Sequence, residues 1–230
     1  MIILQVNPID SLPSNLATGQ ETELSLSFWE LAIKGGWIMI PIALLSIVAI
    51  YIFIERFYAV FKAQKIDGSF MDRIKDLIHN GDLESALRIC RSYDAPVARM
   101  IEKGIMRIGR PLNDINAAIE NVGSLEISKL EKNLPTLASV AGAAPMIGFL
   151  GTVMGMIQAF YTMANAGSNI DVSMLSGGIY TAMVTTVAGL IVGIIAYLAY
   201  NMLVARIDKV VFTLEASTTE FMDLLNESAN

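Results

Sequence analysis

Thr152, Thr181, Thr185 and Thr186 are the residues of this chain best placed for chemistry. They stand among Gly and Ala in two uncharged stretches, MIGFLGTVMGM and GGIYTAMVTTVAGLIVG. A threonine hydroxyl donates one hydrogen bond and accepts others, so it can serve a carboxylic acid and a carboxylate alike. It does not itself titrate, and a proton path needs a group that does. From Asn133 to Ile170, and again from Val172 to Ala205, there is no Asp, Glu, Lys, Arg or His. The tyrosines there (Tyr161, Tyr180, Tyr197, Tyr200) are poor relays. If these stretches guide protons, the titrating carboxylate must come from a second protein held against the threonines.

Helical spacing sorts these residues into faces. Gly148, Thr152, Gly155 and Ala159 share one face of the first stretch. Gly178, Ala182, Thr186, Gly189, Gly193 and Ala196 form a comparable stripe on the second. Thr181 and Thr185 make a second hydroxyl pair, rotated from that stripe by ~140° and ~100° at 3.6 residues per turn. Two accounts stand. In one, small residues allow tight helix packing and threonines bond back to their own helix's carbonyls. In the other, some hydroxyls face a hydrated path or another chain's carboxylate. On that account Thr152, Thr186, Thr181 and Thr185 are the proton-pathway candidates. Pro145, Gly148, Gly155, Ala182, Gly189 and Gly193 are then the residues expected to pack against a partner helix.

The elements that must position these residues are membrane helices. Spanning a bilayer takes ~20 mainly apolar residues. The 230 residues are 54% hydrophobic and only 17% charged, against about a quarter charged in soluble domains. The expected order is an extracytoplasmic tail and interfacial helix over 1–35, with Trp29 and Trp37 at the headgroup level, and a first span over 36–54. A charged cytoplasmic helical domain follows over 55–133, then a second span over 134–161 and a periplasmic loop over 162–176. A third span over 177–204 and a cytoplasmic C-terminal helix over 205–230 complete the chain. MIILQV lacks a basic flank and Asn7-Pro8 interrupts it, so it is read as a retained tail rather than a signal peptide. Within the charged domain, Gly81-Asp82 signals a turn and an N-cap, and Pro96 and Pro111 suit the first turns of two helices. Leu112 to Asn133 is expected to run as one helix into the second span. The class is therefore all-α, with long helices leaving the membrane for a cytoplasmic domain.

Charge sets orientation and excludes other classes. Only Lys34 of the 16 Lys and Arg precedes the first span, and 162–176 holds none. Positive charge stays inside, which puts the domain and C-terminus in the cytoplasm and the N-terminus outside. A net charge of -6 argues against a nucleic-acid-coating surface. Cys90 and His79 are single and cannot build a metal site locally. No phosphate loop and no nucleophile with an adjacent base is present, so an enzyme is not expected.

PMIGFLGTVMGM, with Pro145, Gly148, Gly151, Thr152 and Gly155, resembles the second-span motif of the ExbB/TolQ/MotA family. AMVTTVAGL followed by AYN, with Ala182, Thr186, Gly189, Leu190 and Asn201, resembles their third-span motif. GDLESAL, from Gly81, resembles a phrase of their cytoplasmic domain. MotA-type members have four spans, so ExbB or TolQ is the closer match. The resemblance implies a homopentamer around the single-span helix of an ExbD- or TolR-like partner whose Asp takes up protons. It implies no cofactor beyond the proton as coupling ion. In the ExbB case the resemblance implies that the work, made at the inner membrane, reaches TonB, which opens outer-membrane receptors for iron complexes and vitamin uptake. It implies that Thr152 and Thr186 flank the path. ExbB and TolQ often carry Glu five residues before the third-span threonine. Here Thr181 stands there, offering a hydroxyl but no charge. The rivals are a TolQ-like role and a membrane scaffold whose threonines only pack.

Overall fold

The computed structural model describes residues 35–65, 68–166 and 172–228. The expected interfacial helix and tail lie almost wholly outside these. Among the described residues the regular structure is helical. A 3-10 turn, Gly36–Ile38, leads into α1 (Met39–Ala63). Four helices follow: α2 (Phe70–His79), α3 (Leu83–Ser92), α4 (Pro96–Ile105) and α5 (Leu112–Glu131). Then come α6 (Leu134–Asn165) and α7 (Val172–Ser228). Among the described residues three helical stretches are long and apolar enough to cross a membrane: Gly36–Ala63, Leu112–Asn165 and Leu175–Glu227.

Helix boundaries differ from expectation in four places. The α1 helix does not stop at Glu55-Arg56 but runs on to Ala63. The third span and the C-terminal helix are one element of 57 residues, because nothing between Val204 and Leu225 breaks a helix. Within the expected 162–176 loop, α6 continues to Asn165 and α7 begins at Val172.

The expected unbroken helix from Leu112 into the second span is interrupted. Asn133 adopts a left-handed conformation (φ 66°), the position where Asn is tolerated best after Gly. Pro135, lacking an N–H, then fits the opening turn of α6. The joint is held from α1. Arg56, 7% exposed, donates to the carbonyl of Lys129 (2.8 Å), near the end of α5, and pairs with Glu55. The Asn133 side chain donates to the other Glu55 oxygen (3.3 Å). From Lys129 a series of ion pairs returns to α1: Lys129–Glu126 (2.6 Å), Glu126–Arg99 (2.5 Å), Arg99–Asp94 (2.7 Å) and Asp94–Lys62 (2.5 Å). The ring closes on the helix where it began.

Two cores lie on either side of this ring. In the membrane, Ala49 and Ile52 of α1 pack on Leu137 and Val140 of α6 and on Ala196 and Leu203 of α7. In the charged domain, Phe70, Ile74, Ile101, Ile119 and Leu130 close around Leu214 and Phe221 of α7. Their helices carry apolar residues at three- and four-residue intervals, so each has one face to bury.

Asp82 caps α3 as its sequence suggests, accepting from the Ser85 amide at 3.0 Å and from its hydroxyl at 2.5 Å. These bonds hold its carboxyl below the usual Asp range. A lowered folded pKa means that the stabilisation is present above the ordinary value of ~3.9 and is lost as pH falls through the folded one. Asp82→Ala should therefore lower the thermal midpoint by the same amount at pH 7 and at pH 5. The gap to wild type should narrow only in strong acid.

Cys90 is 2% exposed in the domain core, and burial, with Glu102 nearby, pushes its thiol up to about 12. At pH 8 about one thiol in ten thousand is then the reactive thiolate. Iodoacetamide should leave the folded chain unlabelled and modify it stoichiometrically in denaturant.

Candidate functional site: the threonine seam between two membrane helices

The site is built on the closeness of α6 and α7. A Cβ added to Gly189 would stand 2.5 Å from the carbonyl oxygen of Ala144 and 2.9 Å from the Cα of Gly148. One added to Gly148 would stand 2.9 Å from the carbonyl oxygen of Thr185. Backbone meets backbone here, as small residues allow between membrane helices. Gly155 lies on Gly178 and Ala182, and Gly193 seats the ring of Pro145. Pro145, Gly148, Gly155, Ala182, Gly189 and Gly193 were expected to receive a partner's helix. The structure instead uses them to join α6 to α7 of the same chain, because the two stripes match each other in register.

That approach brings hydroxyls together. The oxygens of Thr152 and Thr186 are hydrogen-bonded across the seam. Thr186 also reaches the carbonyls of Ala182 (3.1 Å) and Gly148 (3.2 Å), whereas Thr152 is 3.4 Å from that of Ala182. Each hydroxyl has one proton to give. The shorter carbonyl distances belong to Thr186, so the favoured arrangement has Thr152 donating to Thr186 and Thr186 donating to a carbonyl. The Thr152 oxygen then keeps lone pairs for an incoming acid. Turning the Thr152 hydroxyl outward would offer its proton to a carboxylate. One pair can thus meet both protonation states.

Thr185 and Thr181 behave differently. Thr185 is fully buried and seated on Gly151. It donates within its own helix, to Ala182 (2.9 Å) or Thr181 (3.2 Å), which is the packing account of a membrane threonine. Thr181 lies near Gly36, its methyl 4.0 Å from where a Cβ on that glycine would stand. The structure therefore gathers Thr152, Thr186 and Thr185 around the Ala182 carbonyl and places Thr181 on the flank towards the start of the first helix. The roles of the Ala182 carbonyl and of Gly151 as a seat were missed. Gly151 could have been found from the three- and four-residue spacing of Ala144, Gly148, Gly151, Gly155 and Ala159.

The Thr152–Thr186 pair opens on the edge away from α1. Val192 and Ala199, which pack with α1, stand ~120° and ~140° round α7 from Thr186. Both threonines are half-buried, and Phe149, Met183 and Leu190 beside them are exposed. Fold and site together define a helical membrane protein with a hydroxyl-bearing, charge-free helix pair, suited to guiding a proton carried by another group.

Comparison with known proteins agrees. Residues 92–216 match the model of the MotA/TolQ/ExbB proton channel family, more than half of the chain, and the chain belongs to that family. It is 30% identical over 183 residues to a biopolymer transport protein ExbB homolog of Methanothermobacter thermautotrophicus, covering 79% of this chain and 64% of that protein. It is 27% identical to the biopolymer transport protein ExbB of Neisseria meningitidis, over 72% of this chain and 80% of that one. It is 35% identical to the Tol-Pal system protein TolQ of Haemophilus influenzae, over 59% of this chain and 54% of that one. The family match begins after Gly81–Leu87, so the GDLESAL phrase lies outside it.

Proposed function

We propose that this chain is an ExbB-like subunit of a bacterial inner-membrane motor driven by protons. Copies of it form a closed ring, five in number by the family resemblance, around the membrane helix of an ExbD-like partner. An Asp on that helix carries the proton, and Thr152 and Thr186 attend it in both charge states. The helical domain lies in the cytoplasm, and the work passes to a TonB-like protein. No cofactor is needed, because the proton gradient supplies the energy, ~2.3 kcal/mol per charge per 100 mV.

The observation that carries this reading is the cross-helix hydroxyl pair, open on one edge, in two spans without a charged side chain. A scaffold has no use for an acceptor left facing outward. Similarity to TolQ supports a second reading, in which the same motor serves a Tol-Pal envelope system. Neighbouring genes separate the two: TonB and ExbD genes favour the first, Tol-Pal genes the second.

The test is co-purification with a single-span, Asp-bearing partner, followed by reconstitution into vesicles holding a pH gradient. Proton entry that requires both chains and the partner's Asp is expected. A ring that excludes the partner, or flux indifferent to its Asp, overturns the proposal.

A further inference from the structure

A second feature of the membrane region lies on the opposite side of α7 from the threonine pair. A groove of about 300 Å³ runs between α1 and α7. Ala49, Ile50 and Phe53 line it from α1, and Ile195, Ala199 and Met202 from α7. Its walls are almost wholly apolar. On α7 it extends from Val192 to Met202, ~15 Å at 1.5 Å per residue. That is half of the ~30 Å hydrocarbon thickness, the depth of one leaflet.

The groove ends in positive charge. One helical turn beyond Met202 on α7 is Arg206, and one turn beyond Phe53 on α1 is Phe57. The Arg206 guanidinium lies over the Phe57 ring, 4.8 Å from its centroid. The aromatic row continues from Phe57 to Phe61, centroids 6.4 Å apart, and Lys65 sits over Phe61 at 5.4 Å. Among the described residues no carboxylate pairs with Arg206 or Lys65, whereas Arg56, Lys62, Arg99 and Lys129 are all paired. Asp208, the nearest acid along α7, stands ~200° round the helix from Arg206.

From this juxtaposition we infer that the α1–α7 groove is a binding site for one anionic phospholipid of the leaflet beside the helical domain. An acyl chain lies along Ala49, Phe53, Ala199 and Met202, and the phosphate meets Arg206 and Lys65. The aromatic rings hold both cations at headgroup depth, where an ammonium or guanidinium attracts anionic lipid. A neutral lipid gains the groove but not the charge.

The experiment uses the full-length chain. Purified protein is exposed to equal amounts of phosphatidylglycerol and phosphatidylcholine, and bound lipid is counted by native mass spectrometry. Each basic residue near a membrane surface favours anionic lipid about fivefold, so wild type should prefer phosphatidylglycerol by roughly 25-fold. Arg206→Gln with Lys65→Gln should bring the preference near parity. Both substitutions remove unpaired cations and leave the core intact. A photoreactive benzophenone side chain introduced at Ile195 then reports the occupant in vesicles. A phosphatidylglycerol adduct supports the site. An adduct to another copy of the chain, equal labelling of phosphatidylcholine, or an unchanged preference in the double variant overturns it.

Discussion

Thr186→Val is expected to yield a folded, membrane-inserted protein that has lost most of the proton-driven activity proposed for it. Valine matches threonine in shape and keeps the methyl packing. The folding penalty is one interhelical hydrogen bond, ~0.6 kcal/mol on average in membrane proteins. The functional penalty is larger, because Thr186 orients the Thr152 hydroxyl, whose bond to a carboxylate is charge-assisted and worth ~1.5–3 kcal/mol. Proton flux in vesicles should fall about ten- to a hundredfold. Thr152→Val should do the same. The double variant should fall little further, since either change breaks the one pair. Thr185→Val probes the rival account. Its hydroxyl bonds only within α7, so it should alter stability more than flux. Normal flux in Thr152→Val and Thr186→Val would leave the scaffold reading standing.

The largest effect on stability belongs to Gly189→Leu. Even the first carbon of that side chain would meet the Ala144 carbonyl and the Gly148 Cα, both backbone atoms of a packed helix. Nothing flexible can yield there, so α6 and α7 must part. The cost should be about 3 kcal/mol or more, the upper end of overpacking. It would appear as a sharp fall in the detergent melting temperature and, for the proposed ring, as loss of assembly in native mass spectrometry. Gly189→Ala should already be destabilised. Gly142→Ala is the control, since a Cβ there has no neighbour within 4 Å and losing a mid-helix glycine should not lower its melting temperature. If Gly189→Leu melted like wild type, α6 and α7 would not meet backbone to backbone at Gly189.

The spans were legible because burial in lipid leaves a plain record, the long absence of charge. The stripes were legible because a helix repeats its faces by arithmetic. What faced them was not. The glycines of α6 read equally well as a seat for a foreign helix or for α7, and only the matched register of both stripes decides for α7. The buried position of Thr185 was hidden for a related reason. A residue ~100° off the centre of a stripe still lies inside a contact when the opposing residue is Gly151. The joint at Asn133 could not be read from its neighbourhood. Its geometry rests on Arg56, 73 residues away from the carbonyl it holds. The acids and bases of 55–132 showed a charged domain without showing that seven of them and Asn133 would form one circuit.

That circuit has a mechanical meaning. Of the two helices that carry the threonines, α7 is one unbroken rod of 57 residues, ~85 Å long. Its companion is jointed at Asn133, and the joint is clamped to α1. A tilt of ~5° about the middle of so long a rod displaces each tip by ~4 Å, comparable to the rise of nearly three helical residues. Any rocking imposed beside Thr186 would thus be magnified at Phe221, while the knee at Asn133 lets α6 follow without dragging the α5 end along.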